Sequence, residues 1–293
     1  MSGLSREAVL SLIRLALRED QAGRDITSTA VLPATARARA RLIARAPGIL
    51  AGGQAAGWVF RAVDRRVRYR VRLHDGTATR PGQVVANLDG PARSIFAAER
   101  TALNLLGHLS GIATLTHAYA RRVRGTRAKV YDTRKTLPGL RALEKHAVRA
   151  GGGRSHRGSL AEAVLIKTNH LKALGQGTGD RGQGIQNAIK RAKRRFPGKF
   201  VEVEVRTVRQ FQSALTAQPD AILLDNMSLH DVRRAVHLSH VSRPLSQKRP
   251  LLEVSGGITL KNVRAYARAG ADRISIGRLT HSAPALDVSL EIV

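Results

Sequence analysis

The sequence predicts an α/β protein in two parts. Its first part sets one amphipathic helix beside short strands and turn residues, and its later part repeats a strand–helix unit. No apolar run approaches the roughly 18 residues of a membrane span. The opening helix, over about residues 4–18, aligns Leu4, Val9, Ile13 and Leu17 on one face, and Asp25-Ile26-Thr27-Ser28 with Pro33 ends that pattern. Short strands are expected around residues 36–51 and 67–74, with a helix at 54–64 between them. Gly48, Gly52, Gly53, Asp75-Gly76 and Pro81-Gly82 mark the turns. A long helical stretch starts near Pro91 and keeps Leu103, Leu106, Leu109, Ile112, Leu115, Tyr119 and Val123 in step, with an interruption expected at Ser110-Gly111.

Beyond it, strands are expected at Lys129–Tyr131, Val164–Ile166, Val201–Val205, Ala221–Leu224, Leu251–Val254 and Arg273–Ile276. Helices fit residues 138–150, 184–195, 207–217, 228–238 and 259–269. Such alternation implies parallel strands, in a barrel or an open sheet. The stretch Gly175-Gln176-Gly177-Thr178-Gly179-Asp180-Arg181-Gly182 follows neither period. No Lys-Ser/Thr follows it and no strand leads into it, so it reads as a surface insertion rather than a phosphate cradle.

The 293 residues are 43% hydrophobic and 24% charged, in keeping with a globular chain of one or two domains. The N-terminus has no apolar signal core, so a cytoplasmic address is expected. Cysteine is absent, which excludes disulfides and thiolate chemistry; a metal would need carboxylates or histidines, and mostly carboxylate ligands point to magnesium. The formal charge of +29 allows two readings, nucleic-acid binding or a solvated basic surface. From Arg66 to Leu73 arginines alternate with apolar residues, as on the wet face of a strand, and Lys190–Arg195 reads as an exposed helix end. With aromatics at 3%, few rings remain to stack bases, so the solvated surface is favoured and a nucleic-acid partner is not expected.

Chemistry gathers where each later strand ends. The ends carry Asp132-Thr133-Arg134-Lys135, Lys167, Glu202 with Glu204, Asp225-Asn226, Ser255-Gly256-Gly257 and Ser275-Ile276-Gly277. In parallel α/β barrels those ends face the active-site loops. Arg134, Lys135 and Lys167, with His156 and Arg157 after Gly151-Gly152-Gly153, form a positive wall suited to carboxylates and phosphates. Glu202 and Glu204 alternate with Val201, Val203 and Val205, so both face one side; with Asp225 they could hold magnesium or ribose hydroxyls. Ser255-Gly256-Gly257 and Gly277 offer open backbone N–H groups for a phosphate monoester. Singly, each feature has an ordinary structural explanation; together they indicate a barrel enzyme for a multiply anionic, phosphorylated substrate.

These segments together resemble the quinolinate phosphoribosyltransferase family. The likeness runs through Glu99–Asn104, Leu109–Thr114, Asp132–Thr136, Pro138–Arg141, Glu144-Lys145, Ala147-Val148, Gly151–Gly153, His156-Arg157 and Leu165–Lys167. It continues through Val201–Val205, Leu223–Met227, Ser255–Thr259 and Leu279–Asp287, nearly the whole chain. It implies an incomplete α/β barrel (TIM-like) over residues 109–277 and an N-terminal α/β sandwich over 1–108, to which residues 278–293 return. It implies a homodimer or hexamer in which Arg100 reaches a neighbouring subunit's site. Arg134, His156 and Arg157, with Thr133 and Lys167, would hold the two carboxylates of quinolinate. Lys135, Lys167, Glu204, Asp225, Ser255, Gly256, Gly257, Ser275 and Gly277 would hold phosphoribosyl pyrophosphate. Glu204 and Asp225 would be the magnesium ligands, and these two with Lys135 and Lys167 the catalytic set. The implied reaction gives nicotinate mononucleotide, pyrophosphate and carbon dioxide, in de novo NAD biosynthesis.

Three departures from the family pattern stand out: Thr168 where aspartate is expected, Ser155 where asparagine is expected before His156, and a longer glycine-rich stretch after residue 174. Two alternatives are weighed. A paralogue of the molybdenum-transport-associated type, acting on another substrate, would not need Arg100, Arg134, His156 and Arg157. A basic RNA-associated protein without turnover would keep the scaffold alone.

Overall fold

The computed structural model describes residues 6–174, 183–241 and 249–293; Leu4 and the glycine-rich stretch read as a surface insertion lie outside the described residues. In chain order the elements are α1 (Arg6–Glu19), α2 (Ile26–Val31), β1 (Arg37–Ala44), β2 (Gly48–Ile49), α3 (Gly53–Val63), β3 (Arg68–Val71), β4 (Ala78–Thr79), β5 (Gln83–Pro91) and α4 (Ala92–Arg122). There follow β6 (Lys129–Tyr131), α5 (Arg141–Ala150), β7 (Val164–Ile166), α6 (Thr168–Ala173), α7 (Gln183–Arg195), β8 (Val201–Val205), α8 (Val208–Thr216) and β9 (Ala221–Asp225). The chain ends with α9 (Leu229–Val241), β10 (Leu251–Ser255), α10 (Val263–Arg268), β11 (Arg273–Ser275), α11 (Arg278–His281) and β12 (Val288–Ile292). Two compact units form: Met1–His117 with Lys135–Gly153 and Arg278–Val293, and Ala118–Arg134 with Arg154–Gly277.

The first unit holds an antiparallel sheet in the order β12-β1-β5-β3. Ala40, Leu42, Ala86 and Leu88 bury on one face, so the intervening Arg39, Arg41, Asn87 and Asp89 face outward. Strand β5 was not among the sequence expectations: Asn87, Asp89 and Gly90 are weak strand formers, and pairing to β1 and β3 on both sides overrides their local preference. The interruption expected at Ser110-Gly111 does not occur, because α4 runs unbroken from Ala92 to Arg122. Both residues serve packing instead. Ser110 Oγ accepts from the Ala51 N–H at 3.0 Å and donates to the Ala51 carbonyl at 3.1 Å. A Cβ on Gly111 would lie 2.0 Å from the Pro284 carbonyl oxygen, so hydrogen is the one side chain that allows that approach.

The second unit is a six-stranded sheet in the order β6-β11-β10-β9-β8-β7, with every pairing parallel. Its strands read as short apolar runs because both faces are buried, and Val201, Val203, Val205, Ile222, Leu223, Leu224, Leu252, Val254 and Ile274 are all buried. Strands β6 and β7 stand at opposite ends and do not pair, so the barrel is incomplete. Register places Ser255 beside both Asp225 and Ser275, and Ser275 beside Tyr131, aligning the C-terminal ends.

Gly111→Ala is expected to lower stability by about 3 kcal/mol despite alanine's better helix propensity, because the contact at Pro284 is backbone and cannot rotate away. Urea unfolding followed by circular dichroism measures this; a neutral or stabilising result would contradict the close-packing account.

Candidate active site

The interior of the second unit is built on a charged cluster that an apolar core would not tolerate unpaired. Glu202 on β8 and Glu253 on β10 are 1% and 0% exposed. Both face the imidazole of His156, whose Nε2 lies 3.0 Å from Glu202 Oε2 and 3.4 Å from Glu253 Oε1. Ser275 Oγ on β11 donates to Glu253 Oε1, and Arg273 brings a guanidinium nitrogen to 3.8 Å from Glu253 Oε2. Arg273 itself lies between aromatic faces, 5.0 Å from the Tyr131 ring centre and 4.8 Å from that of Phe200.

This cluster shows how far the sheet curls. The buried Asp132, just past β6, accepts the His156 backbone N–H at 2.8 Å, while the ring of the same residue meets β8. In a flat sheet β6 and β8 would be four strand spacings apart, about 19 Å, too far for one histidine to bridge. The strands therefore wrap around a lumen, and Glu202 points into it, as its alternation with buried valines anticipates.

Proton placement follows from the contacts. Burial and the Glu253 charge push the Glu202 carboxyl up to about 7. Burial also pulls Glu253 upward, but His156, Ser275 and Arg273 outweigh it and hold that carboxyl below its usual range. For His156, burial opposes the charge and the two carboxylates favour it more strongly, raising the ring to about 10. A second ring proton, however, would have to displace the Arg157 N–H that Nδ1 accepts at 2.8 Å. A proton on Nε2 fits the contacts to Glu202, Glu253 and the Arg157 N–H, so the ring joins the two glutamates to the Arg157 backbone.

Above this floor the arginines gather. Arg134 and Arg157 are both half-buried, and the Arg157 guanidinium is made less basic by its burial and by the nearby Arg134 charge. Arg157 donates to the Ala163 carbonyl at 2.9 Å, and the buried Nε of Arg134 has no hydrogen-bond partner. Two neighbouring guanidiniums, incompletely matched by acid, suit a ligand with two carboxylates.

Other expected residues lie along the same strand ends. Glu204 Oε1 accepts both the Thr168 hydroxyl (2.7 Å) and the Thr168 N–H (3.2 Å), so the departure from aspartate places a donor where a second carboxylate would stand. Asp225 Oδ2 pairs with Arg206 at 3.0 Å. Gly256, at φ +89°, leaves room for Asn226, whose Oδ1 would sit 2.3 Å from a Cβ there, while Gly257 is exposed at φ +62°. Ser255, Thr133 and Gly277 are half-exposed at their strand ends, and Lys167 is exposed just before α6. Ser275 is buried and gives its hydroxyl to Glu253. In the first unit, Lys135 is exposed with its carbonyl bonded by Thr280, and Arg100 is exposed on α4.

The site therefore contains residues to which the sequence expectations gave no individual role: Asp132 as the backbone anchor, and Glu253, Arg273 and Arg206. Glu253 carried a signal, since it is a lone acid inside the apolar run Leu251-Leu252-Glu253-Val254. Among the described residues, His156, Glu202 and Glu253 are the group of three able to converge on a metal, but Arg273 already balances them.

Comparison with known proteins agrees over the full length. Residues 25–110 match the model of the quinolinate phosphoribosyl transferase N-terminal domain, and residues 112–291 that of its C-terminal domain. The nicotinate-nucleotide pyrophosphorylase [carboxylating] of Mycobacterium leprae is 41% identical over all of both chains. The probable enzyme of that name from Bacillus subtilis is 39% identical over 94% of this chain and 90% of its own. The solved nicotinate-nucleotide pyrophosphorylase from Francisella tularensis superposes with a TM-score of 0.88 at 35% identity, covering 99% of this chain and 98% of its own.

Glu253→Gln is expected to cost about 3 kcal/mol, because it leaves the half-buried Arg273 beside an uncharged group. The midpoint of guanidinium unfolding checks this, and an unchanged midpoint would show that the cluster is not coupled to folding.

Proposed function

Because the chain belongs to the quinolinate phosphoribosyl transferase family, we propose that it transfers the phosphoribosyl group of phosphoribosyl pyrophosphate to quinolinate with loss of carbon dioxide. The observation that carries this reading is the Arg134–Arg157 pair above a buried acidic floor. A pyridine diacid places one carboxylate on each guanidinium and its ring nitrogen toward the strand ends.

The chemistry needs position and charge balance rather than a side-chain nucleophile. The ring nitrogen forms a bond to the anomeric carbon as the bond to pyrophosphate breaks, through an oxocarbenium-like state. The new pyridinium charge then draws in the electron pair released when the adjacent carboxylate leaves as carbon dioxide, and that carbon takes a proton. Lys135 and Lys167 stabilise the departing pyrophosphate. The backbone N–H groups at Ser255-Gly256-Gly257 and Gly277 suit the 5′-phosphate, where two glycines remove side-chain bulk.

Glu204 and Asp225 end neighbouring strands, and each presents hard carboxylate oxygens, a donor set that fits magnesium. Bound there with pyrophosphate oxygens, magnesium would offset the leaving-group charge. The Thr168 hydroxyl fixes one Glu204 oxygen, and the other would be the magnesium ligand. The reading extends to a cytoplasmic homodimer in which Arg100 of each protomer completes its neighbour's diacid pocket.

Purified protein with magnesium is expected to consume quinolinate and phosphoribosyl pyrophosphate and release carbon dioxide, with nicotinate inert as the control. Arg134→Ala is expected to raise the quinolinate KM at least tenfold, roughly the 1.5–3 kcal/mol of a charged hydrogen bond, while the folded fraction stays unchanged. Absence of turnover would refute the reaction; an unfolded variant, or one with an unchanged KM, would refute the role of Arg134.

A further inference from the structure

The reaction uses cations at the barrel strand ends and leaves those of the antiparallel sheet without a role. On β1, Arg37, Arg39 and Arg41 alternate with Ala38, Ala40 and Leu42, and on β3, Arg68 and Arg70 flank Tyr69, so the arginines emerge on one face. Register fixes their arrangement. Arg41 stands opposite Asn87, which stands opposite Arg70; one row along, Arg39 stands opposite Asp89, which stands opposite Arg68. Two rails of arginine thus flank β5, about 10 Å apart, with about 7 Å between successive arginines along a rail. A groove of about 440 Å³ lies between them, lined by Arg39, Arg41, Arg68, Arg70, Asn87 and Asp89.

Acid on this face is scarce and already used. Asp89 pairs with Arg37 at 2.7 Å and Arg39 at 3.4 Å. Arg41, Arg68 and Arg70 are exposed, with no hydrogen-bond or ion-pair partner among the described residues. The two acids beside the rails, Asp89 between Arg39 and Arg68 and Glu291 opposite Arg41 on β12, are engaged by Arg37, Arg39 and Arg45, so cations outnumber acids on this face and a further anion would relieve their repulsion.

We propose that this face binds single-stranded nucleic acid along its phosphodiester backbone, without sequence preference. The repeat along the rails suits a polymer rather than one small anion. All the cations are arginine, whose planar fork grips phosphate oxygens bidentately and whose flat face stacks on bases, a contact that bare polyphosphate does not offer. The shortage of aromatics noted in the sequence leaves stacking to the arginine faces and does not weaken a grip on the backbone, and phosphate contacts carry no base selectivity.

The test is fluorescence anisotropy of a labelled 20-nucleotide oligo(U) with the full chain, from 50 to 200 mM salt. Binding is expected to fall with salt. The triple variant Arg41→Gln, Arg68→Gln, Arg70→Gln should lose at least tenfold in affinity and about 2 from the log–log salt slope, as three phosphate contacts at about 0.7 each require. A control triple on the exposed face of α7, Lys190→Gln, Arg191→Gln, Arg194→Gln, removes the same charge and should stay within twofold of the parent. Quinolinate turnover by both triples should match the parent, which verifies their folding. Equal losses in the two triples would assign binding to the general field of the chain and overturn the proposal. Absent oligo(U) binding, or displacement by charge-matched inorganic polyphosphate at equal or lower concentration, would overturn it as well.

Discussion

The site depends on one histidine shared by two buried carboxylates. His156 meets Glu202 and Glu253 through Nε2, receives the Arg157 N–H on Nδ1, and hangs from Asp132 by its own backbone. Those contacts join strands β6, β8 and β10 across the lumen and set where Arg157 leaves the loop. Burying such a group is costly unless every charge is met, and here Arg273, held between two aromatic rings, meets the remaining one. The two glutamates thus lie within the strands, while Arg134 and Arg157 stand past the strand ends, where they can meet an anion.

This layering explains how a diacid could be chosen for a reaction that needs no side-chain nucleophile. Arg134 and Arg157 repel one another, and partial burial keeps solvent from screening them fully. A ligand with two negative groups relieves both, whereas a monoacid relieves one. Thr168 makes a related adjustment one strand away. By donating to Glu204 it fixes one carboxylate oxygen without adding a negative charge, so the pair formed by Glu204 and Asp225 carries the acidic share of that end alone.

Much of this was legible in the sequence, and the omissions have physical causes. The six later strands could be read because buried parallel strands are short apolar runs, and their polar ends marked the mouth. Arg134 and Arg157 could be named from their residue type and place. Glu253 stood out only as a lone acid in an apolar run, and its pairing with Arg273 could not be read, since within a strand an ion-paired charge and a solvated one look alike until neighbouring strands are aligned. Strand β5 was hidden for a similar reason: its pairing on both sides, and not its composition, makes it a strand. Gly111 misled because glycine in a helix signals either a break or a close approach, and only the position of Pro284 decides between them.

The claim at the centre is that two adjacent guanidiniums select two carboxylates. Calorimetric titration of the protein with quinolinate, nicotinate and picolinate, in the absence of phosphoribosyl pyrophosphate, measures this directly. The account predicts that quinolinate binds at least tenfold more tightly than either monoacid, a margin of about 1.4 kcal/mol. Equal affinity for all three would contradict it.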